Sequence, residues 1–302
     1  MSIVSLPRWQ VWFLAFRPWS FTASFIPVTL GSILAWQQGP FNLFLYLLAL
    51  AGGVLLHAGT NAVNTYYDYL AGIDTVANKG KSQPFLVLGW LQPRELLWGG
   101  HLAFGLAIII GCYLIALRGW LVLALGIIGL VGGYGYTARP LAYKYQGLGI
   151  PFVFILMGPL MVVGGYVVQT GSFGWLPVLA SLPVGFLVAG ILHANDLRDI
   201  EGDRDAAIKT LSHYLKDAAQ DFYYFLIWGA YLSLALLAIL KVLPWAALLP
   251  LLTLPEGFKL MRMVKGGFTD NPAFLEPVEP LTARLHLIFG LLLIIGLLLA
   301  GL

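Results

Sequence analysis

The chain has 302 residues, 59% of them hydrophobic and only 10% charged, with a net charge of +3. Soluble globular domains carry about 25% charged residues, so this composition excludes a soluble fold and defines an integral membrane protein. The small charge, held in short loops, excludes nucleic acid as a partner, and the single cysteine, Cys112, excludes an internal disulfide or a cysteine metal cluster.

Windows of about 20 apolar residues predict an all-α polytopic bundle of nine transmembrane helices. They cover 19–36, 43–70, 95–116, 120–137, 150–169, 175–195, 221–240, 243–264 and 282–302. No polar linker divides them, so residues 1–302 read as one membrane domain. The first span follows Arg17 and Pro18 with no small-residue cleavage site behind it, which makes it a retained helix rather than a signal peptide.

The second span ends in HAGTNAVNTYYDYLAGIDT, residues 57–75. Spacings of three and four put Asn61, Asn64 and Asp68 on one helical face. Asp74 lies six residues past Asp68, about 120° off that face were the helix to continue, so it joins the others only through a turn, which Gly72 is placed to make. The sixth span runs into HANDLRDIEGDRD, residues 193–205, where Asp196, Asp199 and Asp203 share a face with Asn195 on its flank, while Glu201 and Asp205 point into solvent. His57 with Asn64-x3-Asp68 echoes His193 with Asn195-x3-Asp199 at an offset of 131 residues between the asparagines, an internal pseudo-repeat. Both histidines read as hydrogen-bonded core residues.

Basic residues are partitioned between the two faces. Fifteen of the seventeen Lys and Arg fall in the N-terminal segment and in the connections after spans two, four, six and eight; Arg118 and Lys241 are the exceptions. The excess of Lys and Arg marks the cytoplasmic side, which predicts a cytoplasmic N-terminus and, for a bacterial-type cell, residence in the inner membrane. The acids lie on or near the same side, so the chemistry is expected there.

An acid at a helix centre costs about 2.5 to 3.5 kcal/mol on insertion scales, so the two clusters require cations. Carboxylates and amide carbonyls without Cys or a close His pair favour a hard ion such as Mg²⁺ over zinc. Because Mg²⁺ is commonly shared between one or two carboxylates and substrate phosphates, the pattern implies a phosphorylated ligand. Lys79, Lys81, Arg139, Lys144, Arg198 and Lys209 can neutralise a diphosphate. The rival reading is a cation-coupled transporter, which would carry polar residues through the depth of the bundle; here the external halves of the helices read as apolar.

These stretches resemble the UbiA superfamily of intramembrane prenyltransferases. Asn64-Thr-Tyr-Tyr-Asp68 through Asp74 is similar to the family's first Asp-rich motif and Asn195-Asp-Leu-Arg-Asp199-Ile-Glu-Gly-Asp203 to its second. Tyr134 to Gly149 resembles its Tyr/Lys segment, and Phe16-Arg17-Pro18 its opening. The wording of the motifs is most similar to the 1,4-dihydroxy-2-naphthoate polyprenyltransferase branch of menaquinone biosynthesis, although Ile150 stands where that branch commonly has an acid. The resemblance implies transfer of a polyprenyl group from a prenyl diphosphate to an aromatic acceptor, with membrane lipid as the surrounding medium. It implies two Mg²⁺ ions held by Asn64, Asp68, Asp74, Asn195, Asp199 and Asp203. It further implies catalytic roles for Asp68, Asp199, Lys144 and Tyr136, and diphosphate contacts from Arg139, Lys209, Arg198 and Asn61. Other acceptors of the superfamily (4-hydroxybenzoate, homogentisate, tetrapyrrole, glycerol lipid) stay open at this point, as does the oligomeric state.

Overall fold

The computed structural model describes residues 6–72, 85–205 and 210–301, with 200–205 as helical backbone only. The α-helices are α1 (Arg8–Phe16), α2 (Thr22–Trp36), α3 (Leu43–Leu70), α4 (Pro93–Arg118), α5 (Trp120–Gly135), α6 (Gly149–Ile155), α7 (Met161–Thr170), α8 (Trp175–Ala180), α9 (Leu182–Asp205), α10 (Leu211–Leu215), α11 (Ala218–Ile239), α12 (Leu254–Thr269) and α13 (Val278–Gly301). In a bilayer each backbone polar group must be satisfied within its own segment, and long apolar runs therefore resolve into helices.

Seven helical stretches among the described residues are long and apolar enough to cross a membrane: Arg8–Trp36, Leu43–Leu70, Pro93–Arg118, Gly149–Thr170, Trp175–Asp199, Ala218–Ile239 and Pro272–Gly301. Two of the nine expected spans are not among these seven. α5 has 16 residues, about 24 Å at the helical rise against a hydrocarbon core of roughly 30 Å, because the chain leaves the helix at Tyr136. The expected eighth span divides into a 3₁₀ helix, Trp245–Thr253, and α12, whose Lys259, Arg262 and Lys265 lie exposed. The sixth span runs past its expected end at residue 195, since α9 continues unbroken to Asp205 and carries the Asp-rich stretch as helix.

α3 packs along α4, α2 along α7 and α13, and α9 along α11 and α13. Small residues set the closest approaches: a Cβ on Gly31 would lie 1.9 Å from the Val162 carbonyl oxygen, and one on Gly165 2.4 Å from that of Val28. The backbones of α2 and α7 therefore touch, as small-residue interfaces in membranes allow. Between α6 and α7, Leu156–Leu160 forms one wide π turn around Pro159, whose ring nitrogen cannot donate. Trp36, Trp120, Trp175 and Trp245 are exposed at the helix ends opposite the Asp-rich motifs, a belt suited to a membrane interface. Arg118 caps α7 there, donating to the carbonyls of Val168 (2.8 Å) and Gln169 (3.0 Å).

Candidate active site

The last turns of α3 bring Asn64 and Asp68 to one buried face, with exposures of 7% and 6%. Asn64 donates to Asp68 Oδ2 at 2.8 Å. After α5 the chain folds back so that the Lys144 amide donates to the Tyr136 carbonyl (2.9 Å) and the Tyr143 hydroxyl to the Gly132 carbonyl (2.7 Å). Burial pushes the Tyr143 hydroxyl above its ordinary range, so it stays a neutral donor and pins the loop. The pinned loop delivers Lys144 Nζ to both Asp68 oxygens, at 2.9 and 2.6 Å, and the Tyr145 hydroxyl to Oδ1 at 2.8 Å.

The second motif is built on α9. Arg198 clasps Asp199 through two hydrogen bonds, Nε to Oδ1 at 2.9 Å and Nη2 to Oδ2 at 2.8 Å, and its Nη1 donates to Glu279 in the first turn of α13. Asn195 Nδ2 donates to the same Glu279 oxygen at 3.1 Å. Both motifs line a single cavity of about 770 Å³, which also takes in Arg17, Asn61, Tyr136, Lys144 and Asp196. From this polar head the cavity continues between α3, α4, α5 and α7 along Gly52, Ala49, Ile115 and Val122. Ile108, Cys112, Leu123 and Ile127 line it and are exposed, so it opens sideways toward lipid between α4 and α5.

The structure thus brings together Asn61, Asn64, Asp68, Tyr136, Lys144, Asn195, Arg198 and Asp199. Arg139 lies exposed in the turn after α5 and is absent from the cavity wall. Asn61 reaches the cavity but spends its Nδ2 on the Phe16 carbonyl (3.1 Å) and Ser20 Oγ (3.2 Å). Gly72 makes the expected turn, with φ of +72° directly after α3. Asp74, Lys79, Lys81 and Lys209 lie outside the described residues, and Asp203 is described only as a position on α9. His57 and His193 are core residues as expected, bonded to Ser24 (2.9 Å) and to the Ala219 carbonyl (2.7 Å). Gly132, Gly133, Gly135, Gly158 and Gly165 are hemmed in by neighbouring atoms, whereas Gly164 has none within 4 Å of a Cβ position.

Two residues of the site were not among the expected site residues. Arg17 joins α1 to α2 in a left-handed conformation (φ 53°), which costs an order of 1–3 kcal/mol in a non-glycine residue. It donates to Thr65 at 3.0 Å while its buried Nε has no partner, so an unspent cationic donor sits at the polar head. Glu279 was hidden because it precedes the last span, far from either Asp-rich stretch; a carboxylate at the mouth of an otherwise apolar helix was the available signal.

Among the described residues no three carboxylate, histidine or cysteine groups converge on one point. The first motif instead offers the Asp68 carboxylate and the Asn64 amide to the cavity, and the second offers Asp196, Asp199 and the Asn195 amide. Asn64 and Asn195 both commit their Nδ2 to a carboxylate, which leaves the amide oxygen as the atom for a cation. This hard-oxygen set fits Mg²⁺ whose remaining positions go to water and phosphate oxygens.

A helical membrane bundle whose carboxylate, amide and guanidinium groups head a long apolar cavity is built as an intramembrane enzyme for lipid-tailed anions. Residues 24–268 match the UbiA prenyltransferase family, and the chain belongs to that family of prenyl-group transferases. It is 36% identical to the rat UbiA prenyltransferase domain-containing protein 1 over 292 residues, covering 95% of this chain and 83% of the relative. It is 32% identical to the 1,4-dihydroxy-2-naphthoate octaprenyltransferase of Bacillus subtilis (strain 168), covering 94% and 91%. Its fold is similar to the apo structure of a UbiA homolog from Aeropyrum pernix K1 (TM-score 0.67, 19% identity, 95% and 99% covered). A similar likeness holds to a UbiA homolog from Archaeoglobus fulgidus bound to geranyl diphosphate (GPP) and Mg²⁺ (TM-score 0.62, 16% identity, 94% and 99% covered).

Proposed function

We propose that this enzyme transfers a polyprenyl group from a prenyl diphosphate to 1,4-dihydroxy-2-naphthoate in a Mg²⁺-dependent reaction, on the cytoplasmic side of the membrane. The observation that carries the reading is the continuity of one cavity from Asp68, Asp199, Lys144 and Arg17 into the apolar depth of the bundle. A diphosphate and an isoprenoid tail need these two environments at the two ends of one molecule. The acceptor is supported by the Bacillus relative, which covers nearly the whole chain.

Asn64, Asp68, Asn195 and Asp199, with Asp74 and Asp203, would hold the two ions, whose charge supplies electrostatic stabilisation to the departing diphosphate. Arg17, Lys144 and Arg198 are the chain's own cations for that anion. Asp68 is paired with Lys144 and Asp199 with Arg198. With the ions and the donor bound, Asp68 and Asp199 would face the ions, and Lys144 and Arg198 would donate to phosphate oxygens. The C1–O bond of the donor breaks with its electron pair leaving on diphosphate, and C1 bonds to the electron-rich ring carbon; that carbon then releases what it carried, a proton or its carboxylate as CO₂, and the bonding pair stays in the ring to restore aromaticity. Tyr136, buried beside Lys144 and 5.8 Å from its Nζ at the ring centroid, presents an aromatic wall to developing positive charge. The apolar walls exclude the water that would otherwise quench it.

The test is purified protein with geranylgeranyl diphosphate, Mg²⁺ and a panel of aromatic and glycerol-lipid acceptors, with products identified by mass. A prenylated naphthoquinol precursor is expected, with turnover lost on chelation and restored by Mg²⁺. Product with a different acceptor alone would move the assignment to another branch of the family.

A further inference from the structure

The cavity extends far deeper than the catalytic step needs. Ala49, its deepest lining residue on α3, is nineteen residues from Asp68, about 28 Å at the helical rise, close to the roughly 30 Å of a hydrocarbon core. At about 1.5 Å per carbon–carbon bond the eight-carbon main chain of a geranyl group spans at most about 12 Å, and the sixteen carbons of geranylgeranyl about 24 Å. The depth therefore matches the longer tail.

What lines the lower part is specific. Gly111 on α4, Gly126 on α5 and Gly164 on α7 all face the cavity, and a Cβ built on any of them would meet no atom within 4 Å. They lie at a similar level, six to seven residues from the ends of their helices at the Trp-bearing face. A mid-helix glycine is less favourable than alanine by about 1 kcal/mol; at Gly31 and Gly165 close backbone contact accounts for it. Glycines by themselves would mark only close packing, but these three pack against nothing and border the cavity. Their missing side chains are cavity width.

Resting on the prenyl-diphosphate reading above, we propose that Gly111, Gly126 and Gly164 form a tail gauge: they keep the lower shaft open, so that the enzyme takes donors of geranylgeranyl length or longer. Cys112, the only cysteine, lines the shaft at this level and is exposed. It serves as a built-in reporter.

Two measurements test the gauge. In detergent-solubilised wild-type protein with Mg²⁺, geranylgeranyl diphosphate is expected to slow N-ethylmaleimide modification of Cys112, whereas geranyl diphosphate at saturating concentration leaves it unchanged. Gly126→Leu is expected to shift the ratio of kcat/KM for geranylgeranyl over geranyl diphosphate downward by about tenfold to a hundredfold, the range for small changes in an apolar pocket. Gly105→Leu, equally unobstructed but outside the cavity, should leave the ratio as it is. Turnover of both donors with no protection of Cys112 by either and no change of ratio in Gly126→Leu overturns the gauge and leaves the function standing. Absence of turnover and of Cys112 protection with every prenyl diphosphate overturns both.

Discussion

Asp68 accepts hydrogen bonds from Asn64, Lys144 and Tyr145, three side chains from two segments more than seventy residues apart. Asp68→Asn preserves the shape while removing the charge, so prenyl transfer should fall by about a hundredfold or more, the scale seen when one preorganised electrostatic group is lost. Elution volume and thermal unfolding in detergent should stay near wild type. Asp199→Asn is expected to behave alike, and near-normal turnover in either would remove these carboxylates from the metal site. Glu279 acts one step further out, holding Arg198 and the Asn195 amide. Glu279→Ala should raise the Mg²⁺ concentration needed for half-maximal turnover by about 10- to 100-fold, the usual cost of losing an outer-shell partner; Glu279→Gln, which can still accept from Asn195, should retain more. A direct Mg²⁺ titration by calorimetry checks the same shift without turnover.

At the scale of elements, the two kinds of glycine separate packing from function. A Cβ at Gly165 would press on the Val28 carbonyl across the α2–α7 contact. Gly165→Ala should therefore destabilise the bundle by about 1–3 kcal/mol, as overpacking does, and lower the unfolding temperature in detergent. Gly126→Leu meets only cavity and should leave that temperature near wild type. The Asp-rich stretch of α9 stays helical to Asp205, so the spacing of three and four between Asp196, Asp199 and Asp203 keeps its meaning. The loop after α5 carries no such periodicity. There the reading of Arg139 and Lys144 as equal candidates divided: Lys144 is delivered to Asp68 by the Tyr136 and Gly132 carbonyl contacts, and Arg139 is left in solvent.

For the whole molecule, the partition of charge and the tryptophan belt define two faces. Lys241→Ala, on the face away from the site, should leave turnover unchanged. Seven stretches among the described residues are long enough to cross; if the short α5 and the divided 245–269 segment cross as well, the nine passes expected from the sequence put the chain ends on opposite sides. Reporters fused to the two ends should accordingly respond from opposite compartments, with the N-terminal one in the cytoplasm. Both reporters on one side would reduce the count to an even number.

The sequence by itself determined the solvent, the element type and the two acid-bearing faces. Hydrophobic run length and helical periodicity are local properties, and the membrane forces every run into the same backbone solution. It also paired Asn64 and Asp68 with Asn195 and Asp199 through the repeated spacing, and all four line one cavity. Only the tertiary structure decided that Arg17 and Glu279 join them, that Arg139 does not, and that the cavity runs nearly the depth of a bilayer. Those facts depend on which helices meet and on what a glycine faces once they do; a long apolar helix reads the same whether it borders lipid, protein or a shaft for a substrate's tail.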